Sequence, residues 1–168
     1  LVTGGTGSFG KTVVSSFLNS EIAEIRIFSR DEKKQEDLRK LYGEEKIKFY
    51  IGDVRDYRSL HNAAKNVDYV FHAAALKQVP SCEFFPMEAI KTNTLGTENV
   101  IKSCLQYKVS KMVLLSTDKA VYPINAMGLT KALGEKILTS YAKFIDSSKL
   151  NLCATRYGNV MCSRGSVI

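Results

Sequence analysis

Long apolar runs are missing from this chain: none approaches the roughly 18 residues that a membrane-crossing helix needs, and the stretch from Val70 to Leu76 is interrupted by His72. A helical membrane span is therefore not expected. The opening Leu1-Val2-Thr3-Gly4 has no initiator methionine and neither the charged nor the apolar region of an export signal, so export is not indicated. Cysteine is sparse as well. Cys82, Cys104, Cys153 and Cys162 lie far apart, form no C-x-x-C pair and have no histidine at metal-ligand spacing, which fits free thiols in a reducing cytoplasm and no metal site. Internal repeats, low-complexity tracts and linkers are absent too.

The chain has 168 residues, of which 45% are hydrophobic and 24% charged, the composition of one soluble globular domain with a real core. Lysine and arginine number 24 against 17 acids, a formal charge of +7. The basic residues are interleaved with acids, as in Arg30-Asp31-Glu32-Lys33-Lys34, which favours a phosphate-bearing small molecule over nucleic acid as partner.

Short β-rich runs alternate with longer segments that carry apolar residues three and four apart. The pattern predicts strands at Leu1–Thr3, Glu24–Phe28, Ile47–Ile51, Tyr69–Ala73, Lys111–Ser116 and Leu150–Arg156. Helices are predicted over Ser8–Leu18, with Phe9, Val13 and Phe17 on one face, and over Asp31–Leu41, Tyr57–Asn66, Pro86–Tyr107 and Asn125–Ile145. Such a series implies an α/β fold: a Rossmann-like, doubly wound parallel sheet, with right-handed crossovers placing alternate helices above and below. The chain opens inside a strand and stops at Arg164-Gly165-Ser166-Val167-Ile168 without a turn. Residues 1–168 are thus expected to be a cofactor-binding domain truncated at both ends, with a substrate lobe beyond it.

The strongest motif is Thr3-Gly4-Gly5-Thr6-Gly7-Ser8-Phe9-Gly10, between a strand and a helix. Gly4 would make the tight turn, Gly7 would let backbone approach a pyrophosphate, and Gly10 would let helix and strand pack closely. The helix N-terminus would then hold the anion. A dinucleotide is implied. An NAD site usually ends its second strand in an acid that bonds the ribose hydroxyls, whereas this strand ends Ile27-Phe28-Ser29-Arg30. Ser29 can donate to a 2′-phosphate and Arg30 can pair with it, with Lys33 or Lys34 nearby, which favours NADP over NAD. Asp31, one step later, leaves NAD open. Asp53 in Gly52-Asp53-Val54 either accepts from the adenine amino group or caps a turn.

These residues, with His72-Ala73-Ala74-Ala75, Asn93 and the Ser116-Thr117 pair, resemble the extended short-chain dehydrogenases/reductases. More narrowly, Phe28-Ser29-Arg30-Asp31-Glu32, Ala75-Leu76-Lys77-Gln78-Val79-Pro80, Ser116-Thr117-Asp118-Lys119-Ala120 and Arg156-Tyr157-Gly158-Asn159-Val160 resemble the bacterial polysaccharide-biosynthesis UDP-N-acetylglucosamine 4,6-dehydratases. Similar sequences have also been described as UDP-glucose 4-epimerases. The resemblance implies a UDP-sugar substrate, assembly as a homo-oligomer, and an NADP that takes hydride from sugar C4 and returns it to C6. Between those steps water leaves across C5 and C6, and C5 is inverted. The cofactor is expected along Gly4, Thr6, Gly7, Ser8, Phe9 and Gly10, at Ser29, Arg30 and Lys33, at Asp53 and Val54, and at Ala73, Ala74 and Lys131.

The wider superfamily uses a Tyr-x-x-x-Lys pair in which lysine lowers the tyrosine pKa. Here the segment is Met127-Gly128-Leu129-Thr130-Lys131, and a thioether has no proton to exchange. Tyr122 precedes Pro123 on a loop and is a weak substitute. By resemblance Lys119 would be the C5 base, Asp118 the acid toward the C6 hydroxyl, and Thr117 the partner of the C4 oxygen. Lys131 would hold the nicotinamide ribose, Asn159 and Lys77 the sugar or its diphosphate, and Arg164 the diphosphate. His72, in an apolar run, reads as a packing residue. Two alternatives stand beside the dehydratase: a UDP-hexose 4-epimerase, and a non-catalytic NADP-binding module that kept the glycine loop and lost the chemistry.

Overall fold

The computed structural model describes residues 1–43 and 45–159. Among these, six strands form one parallel sheet: β1 (Val2–Thr3), β2 (Ile25–Ser29), β3 (Ile47–Ile51), β4 (Tyr69–His72), β5 (Lys111–Leu115) and β6 (Asn151–Thr155). Their order is β3-β2-β1-β4-β5-β6, so the chain reverses direction between β1 and β4. Thr3 pairs with Phe28 on one side and His72 on the other. A reversal of this kind opens a crevice beyond the carboxyl ends of the strands, where open α/β sheets bind ligands. The doubly wound fold read from the sequence is the one observed.

Helices cover both faces in two groups rather than alternately. Helices α1 (Ser8–Leu18) and α2 (Glu32–Tyr42) join β1 to β2 and β2 to β3, and their Val14 and Leu38 pack with Val2, Ile25, Ile27 and Ile47. The opposite face carries α3 (His61–Ala64), α6 (Gly96–Gln106) and α7 (Ala126–Phe144), whose Ala63, Val100, Ile101, Cys104 and Leu138 pack on Phe28, Val70, Met112 and Leu114. Neighbours Ile27 and Phe28 serve opposite layers, as a strand's two-residue period requires. The chain steps outward from β1 to β3 and then outward the other way, so one crossover hand delivers helices to each side in turn.

Several local expectations shift. The predicted helix over 57–66 is a 3₁₀ turn at Tyr57–Leu60, opened by Asp56, followed by the short α3. The predicted helix over 86–107 consists of α5 (Pro86–Ala89), a π-helical segment at Ile90–Leu95, and α6. A further helix, α4 (Val79–Phe84), stands where no periodic apolar stripe marks the sequence. On α1 the buried residues are Gly10 and Val14, while Phe17 is exposed, one position round from the expected Phe9-Val13-Phe17 face. Gly10 sets that register, because the helix meets the backbone of Gly4 and Gly5 where no side chain intervenes. Helix α7 begins as expected, with Asn125 Oδ1 accepting from Gly128 N at 2.8 Å.

Candidate active site

A cleft of about 1450 Å³ lies over the carboxyl ends of the strands. Its floor is the glycine loop. Gly4 has φ +69°, and a Cβ there would come within 2.7 Å of Ala74 N. A Cβ on Gly10 would lie 2.5 Å from Gly4 O and 2.6 Å from Gly5 Cα, so any side chain would push α1 off the loop. The first bond within α1 is Lys11 N to Gly7 O at 2.9 Å, and no side chain caps the helix. The amides of Ser8, Phe9 and Gly10 thus have no carbonyl within α1 to bond, their residues line the cleft, and no acid in the first turn competes for them. This cradle fits a pyrophosphate.

At the end of β2, Ser29 lines the cleft and is buried, and Arg30 lines it and is exposed. Arg30 Nη1 lies 3.6 Å from Asp53 Oδ2. Lys33 does not line the cleft: its side chain is 80% exposed, and its Nζ pairs with Asp37 Oδ1 at 2.5 Å. Lys34, one residue or about 100° farther round α2, lines the cleft instead and pairs with Asp31. Lys11 and Thr12 also line it, unforeseen from sequence. Asp53 takes the turn role: Oδ1 accepts from Arg55 N at 3.0 Å and Oδ2 pairs with the Arg55 guanidinium at 2.6 Å. Burial raises its pKa, but the Arg55 bonds and the charges of Arg55 and Arg30 outweigh that and hold it low. Val54, Thr6, Ala73 and Ala74 complete this wall.

Phe9, at the mouth of α1, stacks on Tyr157 with ring centroids 5.7 Å apart and on Phe71 at 5.9 Å, which ties the glycine loop to the end of β6. Facing them, Met127 is buried in the first turn of α7 and lines the cleft, one turn before Lys131. Lys131 is only 7% exposed, and its Nζ donates to Leu115 O at the end of β5. Burial lowers its pKa to about 8, with the carboxylate of Glu135 pulling the other way. Glu135 also accepts from Ser116 Oγ and from Arg156, at 2.6 Å to Nη2, a network the sequence did not reveal. His72 is buried between Thr3 Oγ1 (2.6 Å) and Thr97 Oγ1 (3.1 Å), and burial, aided by the Lys131 charge, lowers its pKa to about 3. It is a neutral packing residue, as read from sequence.

The expected acid–base group is brought together, but with one difference. Thr117, Lys119 and Asn159 line the cleft, and Lys119 Nζ donates to Asn159 Oδ1 at 3.2 Å and Asp118 Oδ1 at 3.3 Å. Asp118 itself lies outside the lining, half-exposed, and accepts from Thr117 Oγ1 at 2.9 Å. The Thr117 hydroxyl, and after it Lys119, hold the Asp118 carboxyl below its usual pKa. Asp118 therefore rests as a carboxylate, and a proton must reach it before it can act as the expected acid. Lys77 lines the cleft, whereas Tyr122 is 88% exposed and does not. Arg164 and Cys162 lie outside the described residues.

The family model for polysaccharide biosynthesis proteins matches residues 1–168. The chain belongs to that family. It is 63% identical over 172 residues to a protein of Rickettsia akari (strain Hartford) named UDP-glucose 4-epimerase, covering 100% of this chain and 50% of that one. Among solved structures it is similar to Pen from Bacillus thuringiensis, with 43% identity and a TM-score of 0.93 over 99% of this chain and 51% of that one. The UDP-glucose 4-epimerase of Thermus thermophilus, solved in complex with NAD, matches at 25% identity and TM-score 0.80 over 94% of this chain and 55% of that one. The chain thus spans about half the length of the curated relatives it matches. Among the described residues no helix is long and apolar enough to cross a membrane, and no cluster of ligating side chains could hold a metal ion.

Proposed function

We propose that this polysaccharide biosynthesis protein is an NADP-dependent lyase that removes water across C5 and C6 of UDP-N-acetylglucosamine, giving a 4-keto-6-deoxy sugar with C5 inverted. The observation that carries this reading is Met127 in place of an ionisable side chain one turn before Lys131, with Lys119 and Asp118 paired at the end of β5. An elimination needs a base at C5 and an acid at C6, and a neighbouring amine and carboxyl can divide those roles.

The glycine cradle and the bare N-terminus of α1 would hold the cofactor's pyrophosphate, Ser29, Arg30 and Lys34 its 2′-phosphate, and Lys131 its nicotinamide ribose. When bound, the nicotinamide supplies a hydride acceptor and donor. Thr117 holds the sugar's C4 oxygen. Lys119 takes the C5 proton and relays a proton across 3.3 Å to Asp118 Oδ1, and Asp118, turned in from outside the cleft lining, delivers it to the C6 hydroxyl, which leaves as water. Lys77 and Asn159 orient the sugar diphosphate. The protein works in the cytoplasm as a homo-oligomer on this reading, and the rest of the substrate site belongs to a lobe outside residues 1–168.

A second reading, 4-epimerisation of a UDP-hexose, is favoured by the name of the Rickettsia akari relative. Mass spectrometry of UDP-N-acetylglucosamine after incubation with the protein and NADP, with proton NMR couplings to read the configuration at C4, separates the two. A product lighter by one water supports the lyase, and a product of unchanged mass with inverted C4 supports the epimerase. Unchanged sugar despite nucleotide binding supports a binding module.

A further inference from the structure

Gln35 lies on α2, 2% exposed, behind the cleft rather than in its lining. Its Nε2, with two protons, lies within hydrogen-bond distance of three oxygens, so one N–H is shared: Tyr50 O at 2.8 Å, Ser29 O at 3.1 Å and Ser29 Oγ at 3.1 Å. Two of these are carbonyls, which only accept, so the amide can face them in one sense alone. Turned over, Oε1 would meet two acceptors. Toward Gln35 the Ser29 hydroxyl can only accept, sharing an N–H with a carbonyl, and its single proton is left for another partner. Ser29 lines the cleft, so a group bound there can take that proton.

We propose that Gln35 is a positioning residue that commits the Ser29 hydroxyl to donate into the cleft, and so selects a nucleotide whose adenosine ribose carries a phosphate over one whose ribose carries a free hydroxyl. This rests on the NADP reading above and adds the residue that enforces it. Phosphate oxygens are charged and only accept, so a donor fixed in advance gains more from them than from a neutral ribose hydroxyl, which can equally well donate to an acceptor. The cations nearby are already shared: Arg30 lies against Asp53 and Lys34 on Asp31. Each must loosen a carboxylate to serve a phosphate, while the Ser29 donor stands ready. Gln35 reaches this position because Asp31 starts α2 immediately after β2, with Gln35 N bonded to Asp31 O at 3.1 Å, so that the helix's first turn faces the ends of β2 and β3.

The test is the equilibrium binding of NADPH and NADH, read by nucleotide fluorescence, to the wild-type protein, Gln35→Met, Ser29→Ala and the double variant. Hydrogen bonds to charged groups support a wild-type preference for NADPH of about tenfold or more, lost in Gln35→Met through weaker NADPH binding while NADH binding stays within about twofold. Ser29→Ala, which keeps the Gln35 bonds to both carbonyls, should lose the same preference, and the double variant should lose no more than Ser29→Ala alone. A wild-type protein without the preference overturns the NADP reading itself. A wild-type preference that survives in Gln35→Met or in Ser29→Ala, or losses that simply add in the double variant, overturns the positioning role alone. Loss of both nucleotides in Gln35→Met also overturns it, by making Gln35 a structural residue.

Discussion

Replacing Lys131 with methionine should make the folded protein more stable while removing the group proposed to hold the nicotinamide ribose. Burial lowers the Lys131 pKa from 10.5 to about 8, which at about 1.4 kcal/mol per pH unit corresponds to about 3 kcal/mol of penalty on the charged form. The sign follows from linkage: the folded pKa lies below the unfolded one, so the penalty is complete below pH 8 and fades as pH rises to 10.5. Methionine removes the charge and leaves Leu115 O without its donor, a loss of about 1 kcal/mol or somewhat more. A net gain of about 2 kcal/mol at pH 7 remains. Urea unfolding followed by circular dichroism, at pH 7 and at steps up to pH 10.5, measures it. Wild type should close the gap on Lys131→Met as pH rises through this window. A variant less stable than wild type at pH 7, or a gap that does not narrow, would refute the reasoning.

The opposite limb of the pH profile belongs to His72. Its pKa falls from 6.5 to about 3, so it destabilises the fold progressively as pH drops through that interval, by up to about 4–5 kcal/mol, and His72→Asn should flatten the acid side of a urea-midpoint profile. Gly10→Ala puts a Cβ 2.5 Å from Gly4 O, and should cost about 1–3 kcal/mol of stability and more than tenfold in NADPH affinity, read by denaturant titration and nucleotide fluorescence. Lys119→Ala should lower turnover of UDP-N-acetylglucosamine by about 10²–10⁴-fold while NADPH binding persists, measured by product formation and by fluorescence titration. Unchanged turnover would remove Lys119 from the proposed chemistry.

Much of this architecture is legible in the residues because its signals are local. The strands are short β-rich runs whose alternation with helices marks a parallel sheet wound on both faces, though no local pattern encodes the order of the strands or where it reverses. The glycine loop reports its own geometry, since Gly4 and Gly10 occupy positions where a Cβ would strike backbone. Other features depend on distances along the chain that no short pattern encodes. Gln35 meets Ser29 and Tyr50 only after β2, α2 and β3 are folded together, and Glu135 gathers Ser116 and Arg156 from the ends of two strands. The choice between Lys33 and Lys34 turns on one residue's rotation about a helix. Helix α4 is too short to show a stripe, and the face of α1 is set by a glycine, which hydrophobic periodicity does not count. Asp118 matched a family motif, yet its side chain lies off the cleft wall because Thr117 and Lys119 both bond it there.

The most direct test of the proposed lyase is nuclear magnetic resonance of UDP-N-acetylglucosamine incubated with the protein and NADP in deuterated water. A base acting at C5 must exchange that proton with solvent, so the account predicts a 4-keto-6-deoxy product with deuterium at C5 and inverted configuration there. A sugar inverted at C4 with its C5 proton and C6 hydroxyl intact would contradict it, and would make this protein an epimerase.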